Sequence, residues 1–421
     1  MSNYSENTAN KVLTHDTIAK ESAAMLLEQS VFVKAINRNR EKEFQKDLQG
    51  YTKGESVRVR IPPVPVVTEG HVFKPADADE NAVETSVLLK VDTQKHVGLT
   101  FGAAEKALKL SDFKTRFLQP AINSLAANID ADLLKRAITA VNNVNVMQPV
   151  EKHPTAAWGR AAAQMNRALA PTGDRMSIMT SDFSNQIVDT AGNIFNPNPE
   201  IAKQWKEGYV GRSRGFDFVN SESIYRQYTG SHAQTGLTVS GASQTGNILK
   251  LGGITSGQTI KAGEVFTIAG VQAIHPILHT PQSHLVQFVV LKDVTAAGTT
   301  VDVEIYPPIQ PSKVGSQLKS NATVVASPAA DAAVEFTMES ESFIDQALCF
   351  HKDAFAAAFV PLKVLANCEG YMFNAGSMAL RVQTGGDFNN DREGTRIDVL
   401  YGFAAIRNNH AARILLPADT I

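Results

Sequence analysis

Apolar positions near the start of the chain repeat with a helical period. Ile18, Met25, Phe32 and Ile36, with Leu26 and Val33 beside them, fall on one stripe. Thr14 stands where a helix needs a cap, and Asp16 sits in the first turn, where the helix dipole favours an anion. The strongly polar run NRNREKEFQKD follows. This pattern predicts an amphipathic helical arm, packed either on its own domain or on a neighbouring subunit. The period then changes to two. Val57, Val59 and Ile61 alternate with Ser56, Arg58 and Arg60, which predicts a strand. Pro62, Pro63 and Pro65 end it, because proline has no N–H to give a ladder. A second strand is predicted over Thr85–Val97. Between the two lies Thr68–Glu84, an acidic connection carrying Asp77, Asp79, Glu80 and Glu84. Connections this long are uncommon inside a compact domain. The reading is a long hairpin whose tip is disordered or held by something outside the subunit.

Ser111–Val141 carries the longest helical signal, with Leu118, Ile122, Leu125, Ile129 and Leu133 at i, i+3 and i+4 spacing. Pro120 either kinks this helix or occupies its first turn, where the missing N–H costs nothing. At 1.5 Å per residue it is roughly 30–45 Å long, a spine rather than a place for chemistry. Further along, a helix is predicted over Ala156–Leu169, a strand over Arg175–Met179, a helix that Ser181 can cap over Ser181–Asp189, and a strand over Phe216–Val219. Between Thr229 and Ser340 the pattern turns wholly strand-like. Runs at Leu237–Gly241, Ile248–Leu251, Gln258–Val271, His284–Lys292, Thr299–Tyr306, Ala322–Ala326 and Ala333–Met338 are separated by turn residues, as in a small β-barrel or sandwich. Ser342–Ala358 reads as helix or strand. Leu362–Ala366 and Ser377–Gln383 read as strands, and Arg396–Ile406 with Ala411–Leu416 as a closing pair around Arg407-Asn408-Asn409.

Composition sharpens this division. The 421-residue chain is 43% hydrophobic, so a sizeable core is available and global disorder is excluded. Charged residues make up 19% of the chain, and about half that density within 229–340, which marks a domain boundary; mixed α and β patterning on both sides makes the segment look inserted. Forty basic and forty-two acidic side chains leave −2, which argues against a polyanion binder that relies on bulk positive charge. A low charge fraction suits a surface covered by other copies of the same chain. Two cysteines, Cys349 and Cys368, make no disulfide framework or cysteine-only zinc site. The N-terminal segment lacks an apolar h-region, so no secretory signal is expected, and no apolar run approaches the ~20 residues of a membrane span.

Chemistry is sparse. Gly211-Arg212-Ser213-Arg214-Gly215 matches the G-x-S-x-G nucleophile elbow, which needs a strand before the serine and a helix after it. Here a strand pattern follows, and two arginines flank the serine. A hydrolase using Ser213, with His351 or His410 as base, is therefore the weaker alternative. His275, His279 and His284 cluster, but Pro276 and Pro281 argue against the helix that would aim an i, i+4 pair at zinc, so turn and strand histidines are expected. Acidic pairs such as Asp130/Asp132, and Asn390/Asp391 near Asp387, come without the surroundings a metal or acid–base site requires. No phosphate loop, dinucleotide fingerprint or H-E-x-x-H occurs. The balance points to a structural protein without enzymatic activity or cofactor.

Several strings and their order are distinctive: PAINSLAANIDADLLKRA (120–137), GFDFVNSESI (215–224), LTVSGAS (237–243), AGEVFTIAGVQAI (262–274) and RIDVLYGFAAIRNNHAARILLP (396–417). On these the chain resembles the major capsid (coat) proteins of tailed bacteriophages with the HK97 fold, in the subfamily of the Salmonella phage P-twenty-two coat protein. The resemblance implies an α+β HK97-like fold with an inserted telokin-like β-barrel. It maps onto residues 1–49 as N-arm, 50–98 as E-loop hairpin and 99–150 as peripheral domain with the spine helix. Residues 151–228 and 341–376 would form the axial domain, 229–340 the inserted barrel, and 377–421 the closing strands. It implies self-assembly into hexamers and pentamers of an icosahedral head around double-stranded DNA bound without sequence specificity. Scaffolding and portal proteins would be partners, no membrane would be involved, and the site would be the virion after synthesis in the host cytoplasm. A non-viral shell of the same fold is the other reading, and would normally lack the insertion. The long charged loop that the subfamily's best-known member carries early in the insertion is absent here: Ser243–Ala262 is short and nearly uncharged. Candidate intersubunit contacts are Arg58, Arg60, Asp77, Asp79 and Glu80. Asp16, Glu21 and Glu28 are candidates for receiving a basic scaffold helix. The insertion is expected to fold on its own.

Overall fold

The structure, a computed structural model, describes residues 15–38, 56–62, 64, 71, 84–101, 114–147, 155–191, 212–314, 317–318, 320–374, 378–387 and 392–416. In chain order come α1 (His15–Gln29), α2 (Phe32–Ala35), β1 (Ser56–Ile61), β2 (Thr85–Phe101), α3 (Gln119–Ala140), β3 (Val144–Val146), α4 (Ala156–Arg167), β4 (Arg175–Met179) and α5 (Ser181–Ala191). The strands β5 (Arg212–Ser213), β6 (Phe216–Asn220) and β7 (Gln227–Tyr228) lead into the insertion. It contains β8 (Leu237–Val239), β9 (Gly246–Gly252), β10 (Thr259–Ile260), β11 (Val265–Ile274), β12 (Pro281–Val290), β13 (Val294–Thr295), β14 (Thr300–Ile309), β15 (Lys313–Val314), β16 (Gln317–Leu318) and β17 (Ala333–Phe336). The chain closes with β18 (Phe343–His351), β19 (Phe355–Val360), β20 (Glu369–Asn374), β21 (Ala379–Asp387), β22 (Arg392–Ala405) and β23 (Ala411–Leu416).

Contacts divide the chain into two units. The first draws on residues 1–58, 88–133 and 356–404, the second on 59–87, 134–355 and 405–421. The first is organised by a sheet of order β1-β2-β22-β21-β20, with β19 also paired to β22. The helical stripe of the arm is real: Ile18, Ala19, Ala23, Met25 and Leu26 are buried, and α1 packs on β20 and β21 of its own chain. Of the two packings foreseen for the arm, this helix takes the intrachain one. Val59 is buried between exposed Arg58 and Arg60, the alternation that period two dictates. Leu118, Ile122, Leu125, Ile129 and Leu133 of the spine are all buried. One π turn, Lys114–Leu118, runs directly into α3, so Pro120 falls where the π turn passes into the α-helix. Gly402 is required by a close approach: a Cβ there would meet the Lys90 carbonyl oxygen at 2.3 Å.

The second unit holds a sheet of order β3-β23-β18-β4-β6-β5, with β7 also on β18, and a closed barrel β11-β12-β14-β9-β8-β17. Trp158 of α4, tilted against Phe218 at 5.5 Å and edge-on to Phe183 at 6.3 Å, anchors one core of the sheet. The barrel has its own core, built from the inward positions of alternating strands, including Leu249, Leu251, Phe266, Phe288, Val303 and Phe336. A further buried cluster joins the two, with Val265, Val289 and Met338 packing on Val144, Ile344 and Leu415. The α+β class and the inserted β-barrel are thus both present.

Four local expectations change. The closing pair is not a pair: β22 lies in the first sheet, whereas β23 lies between β18 and β3 in the second. Ile406 and Arg407 both donate their N–H groups to the Ala354 carbonyl, and the turn Asn408–His410 carries the chain away from β22. The fully buried β23 requires a central position. Leu362–Ala366 is irregular, and the strand comes later as β20. Ala322–Ala326 makes only isolated bridges through Val324. Gln258–Val271 is broken by a turn at residues 261–264, so that β10 pairs with β13 while β11 enters the barrel.

Candidate assembly surfaces and the clamps behind them

Of the candidate contact residues, the two that the structure describes sit on the exposed face of a strand. Arg58 and Arg60 point outward from β1. Arg60 Nη1 lies 3.5 Å from Glu84 Oε2, with the two side chains 75% and 49% exposed; a pair so open to water contributes less than about 1 kcal/mol. Asp77, Asp79 and Glu80 lie outside the described residues. On α1, Asp16 Oδ2 accepts from Lys20 Nζ at 2.8 Å. Glu28 is exposed and Glu21 half-buried. At 100° per residue, Glu21 and Glu28 share a face, while Asp16 lies about 140° away from Glu21. The three acids therefore do not make one patch.

Behind these surfaces lie buried polar clamps that the sequence reading missed. In the first unit, Asp398 is wholly buried between β2 and β21. Its Oδ2 accepts from Arg381 Nε at 3.2 Å and Nη2 at 2.9 Å, and its Oδ1 from Arg396 Nε at 2.7 Å and Gln94 Nε2 at 3.0 Å. One carboxylate thus ties three strands together. Asp130 of α3 accepts the backbone N–H groups of Val31, Phe32 and Val33 and so caps α2 from a distance. Burial pushes the Asp130 carboxyl up, and those three N–H groups pull it partly back. Asp130 leaves a sequence signal, a charge between Ala126 and Leu134 at helical spacing, whereas Asp398 alternates with Ile397 and Val399 as an ordinary polar strand position would.

In the second unit the barrel is fastened to the sheet. Arg413 on β23 is fully buried. Its Nη1 donates to Gln227 Oε1 at 3.1 Å and Gln346 Oε1 at 3.3 Å, and its Nη2 to the Gly263 carbonyl at 2.6 Å. These acceptors are all neutral, and burial lowers its pKa to about 9. Gln287 of β12 brackets Val144 of β3, donating to its carbonyl at 2.9 Å and accepting its N–H at 2.8 Å. Where the chain enters and leaves the barrel, the Tyr228 and Phe343 rings meet at 4.8 Å, tilted by 50°, and are both substantially exposed. Arg226 lies 5.3 Å from the Phe343 ring and 2.9 Å from Asp345 Oδ1.

The remaining chemistry candidates resolve into structure. Ser213 ends β5, and Arg214 and Gly215, both at positive φ, form a two-residue hairpin turn into β6. The nucleophile elbow needs a helix there, so the match to its motif is accidental. His275 Nδ1 accepts the N–H groups of Ile277 and Leu278 in a turn, and His284 is on β12. No three potential metal-ligating side chains cluster among the described residues. Burial drives the Cys349 thiol up to about 12, so it is a core residue. Ser181 is itself capped: its N–H and hydroxyl both bond Glu222 Oε1. No described helix is long and apolar enough to cross a membrane.

The family model described as "P22 coat protein - gene protein 5" matches residues 48–416. No curated protein sequence matches the chain. Among solved structures, one of Mycobacterium phage Che8 is similar at 13% identity and a TM-score of 0.45, covering 92% of this chain and 90% of that one. A virus-like particle from Pyrococcus furiosus is similar at 7% identity and a TM-score of 0.39, covering 95% and 98%. The CUS-3 coat protein I-domain is 30% identical with a TM-score of 0.19, covering 24% of this chain and 94% of that one.

Proposed function

The chain belongs to the P22 coat protein family, and on that premise we propose how it works as the major capsid protein that builds a phage shell. Copies join as hexamers and pentamers, and these close into an icosahedral head around double-stranded DNA, with a scaffolding protein directing assembly and a portal protein at one vertex. The protein is made in the host cytoplasm and ends in the virion. The observation that carries this reading is the family match across 48–416. A net charge of −2 agrees with a wall that encloses DNA without gripping it. Each contact between copies can be weak, because closure sums many of them and symmetry fixes their geometry.

Within the shell, Arg58 and Arg60 meet carboxylates of a neighbouring copy, with Asp77, Asp79 and Glu80 as further contact residues. The open Arg60–Glu84 pair supports this, since little is lost when a neighbour's carboxylate replaces Glu84. The acids of α1 receive the scaffold, with Glu21 and Glu28 as one face and Asp16 as another. As a coat protein the chain does its work by assembly rather than catalysis. Electron microscopy of the protein expressed with and without its neighbouring genes tests the reading. Closed shells tens of nanometres across are expected with those genes present, and monomers even then would overturn it. Arg58→Ala/Arg60→Ala shells of unchanged yield and heat resistance would remove the arginine contacts.

A further inference from the structure

The neck of the barrel contains a charged pair sealed from water. His232 and Glu264 are each 1% exposed at the side chain, with Nε2 3.1 Å from Oε2. The partners fix the protonation. His232 Nδ1 lies 2.9 Å from the Ala233 carbonyl oxygen, which can only accept, so Nδ1 carries a proton. Glu264 Oε1 accepts the Gly230 N–H at 2.7 Å, and Oε2 accepts the Lys261 N–H at 2.7 Å. Both Glu264 oxygens thus act as acceptors, and Oε2 faces Nε2 in the same role, so Nε2 carries a proton as well. The ring lies 4.0 Å from the Phe336 ring, a neighbour that favours a cation.

We propose that His232 and Glu264 form a proton-operated clasp: the imidazolium fastens the irregular segment between β7 and β8, which leads into the barrel, to the turn at 261–264, and loss of its proton releases that fastening. The turn is the point where release has consequences. Glu264 holds the neck, while the carbonyl of the preceding residue, Gly263, holds Arg413 of the underlying sheet. Neck, turn and sheet therefore share one hydrogen-bonded path. The groups around the pair are few. Glu264 is the carboxylate bonded to the ring, Phe336 on β17 is uncharged, and Lys261 and Asp293 pair with each other at the surface at 3.2 Å. Burial pulls the ring toward neutrality, but the hydrogen bond to Glu264 and its charge outweigh this and raise the pKa of His232. For a base held above its unfolded value, the added stability is full below pH ~6.5 and is lost as pH rises through the folded value.

Exchange of the imidazole C2 hydrogen, followed peptide by peptide by mass spectrometry on the full chain, reads the titration of His232 directly. A midpoint above ~6.5 is expected, and one at or below it overturns the clasp. Amide exchange then reads the consequence. Between pH 6 and pH 8, after correction for intrinsic rates, protection of residues 229–234 and 261–265 should fall in the wild type and stay level in His232→Gln. The same fall in both proteins would overturn the proposal. If His232→Gln does not fold, the wild-type C2 titration decides alone.

Discussion

Replacing Asp398 by asparagine removes one charge and almost no volume, and it strikes the most heavily bonded carboxylate described in the first unit. Asp398 is wholly buried, Arg381 is nearly so, and four donor nitrogens from Arg381, Arg396 and Gln94 converge on its two oxygens. The substituted amide would keep one acceptor oxygen but turn an NH2 toward donors, leaving the Arg381 guanidinium buried beside no anion. Breaking a buried charge pair from one side costs about 3–5 kcal/mol, and at 1.36 kcal/mol per tenfold that is roughly 10²–10⁴ in the opening equilibrium of the sheet. With two units, a single melting temperature is a poor reporter, so the assay is amide exchange in β21 and β22. Protection there should fall by that factor in Asp398→Asn while the barrel strands keep theirs. Adding Arg381→Met removes the stranded charge, so the double variant should recover part of the loss. A change below tenfold in Asp398→Asn, or strictly additive effects in the double variant, would refute the clamp.

Two further outcomes follow from the same kind of reasoning. Asp130→Ala leaves three backbone N–H groups at the start of α2 without their acceptor, and at about 1–3 kcal/mol for each buried donor left unpaired the 30–36 segment should become sensitive to limited proteolysis while Asp130→Asn is affected less. His410 is buried and held neutral: burial, then the nearby Arg407, lowers its pKa to about 4. Its unfolded form gains a proton below pH ~6.5 and its folded form only near 4, so stability drains as pH falls across that window; urea titrations from pH 7 to pH 4 should show a loss that His410→Phe reduces.

Much of the fold is legible along the chain because local periodicity and burial coincide. The alternation Val57-Arg58-Val59-Arg60-Ile61 is a strand in isolation as in the structure, and the stripe from Leu118 to Leu133 can only be the buried face of a helix. The barrel is legible for the same reason: its strands are short, separated by turns and apolar on every second residue. The errors fall where a partner distant in sequence decides. Arg396–Ile406 and Ala411–Leu416 look like a hairpin, and they part because Ala354 captures the connecting N–H groups and β18 and β3 take β23. Ser213 matches a catalytic motif, yet the positive φ angles of Arg214 and Gly215 turn the chain straight back into a strand.

Family, class, insertion and the outward faces of α1 and β1 were therefore determined by the sequence alone, since each rests on patterns a few residues long or on the order of such patterns. The clamps were decided only by the tertiary structure. Asp398, Asp130, Arg413 and the pair His232 and Glu264 read as isolated polar residues in apolar surroundings, with partners as far as 304 residues away in the chain. A buried charge is tolerable only where those partners converge, and convergence across such separations is a property of the folded chain, not of any window of its sequence.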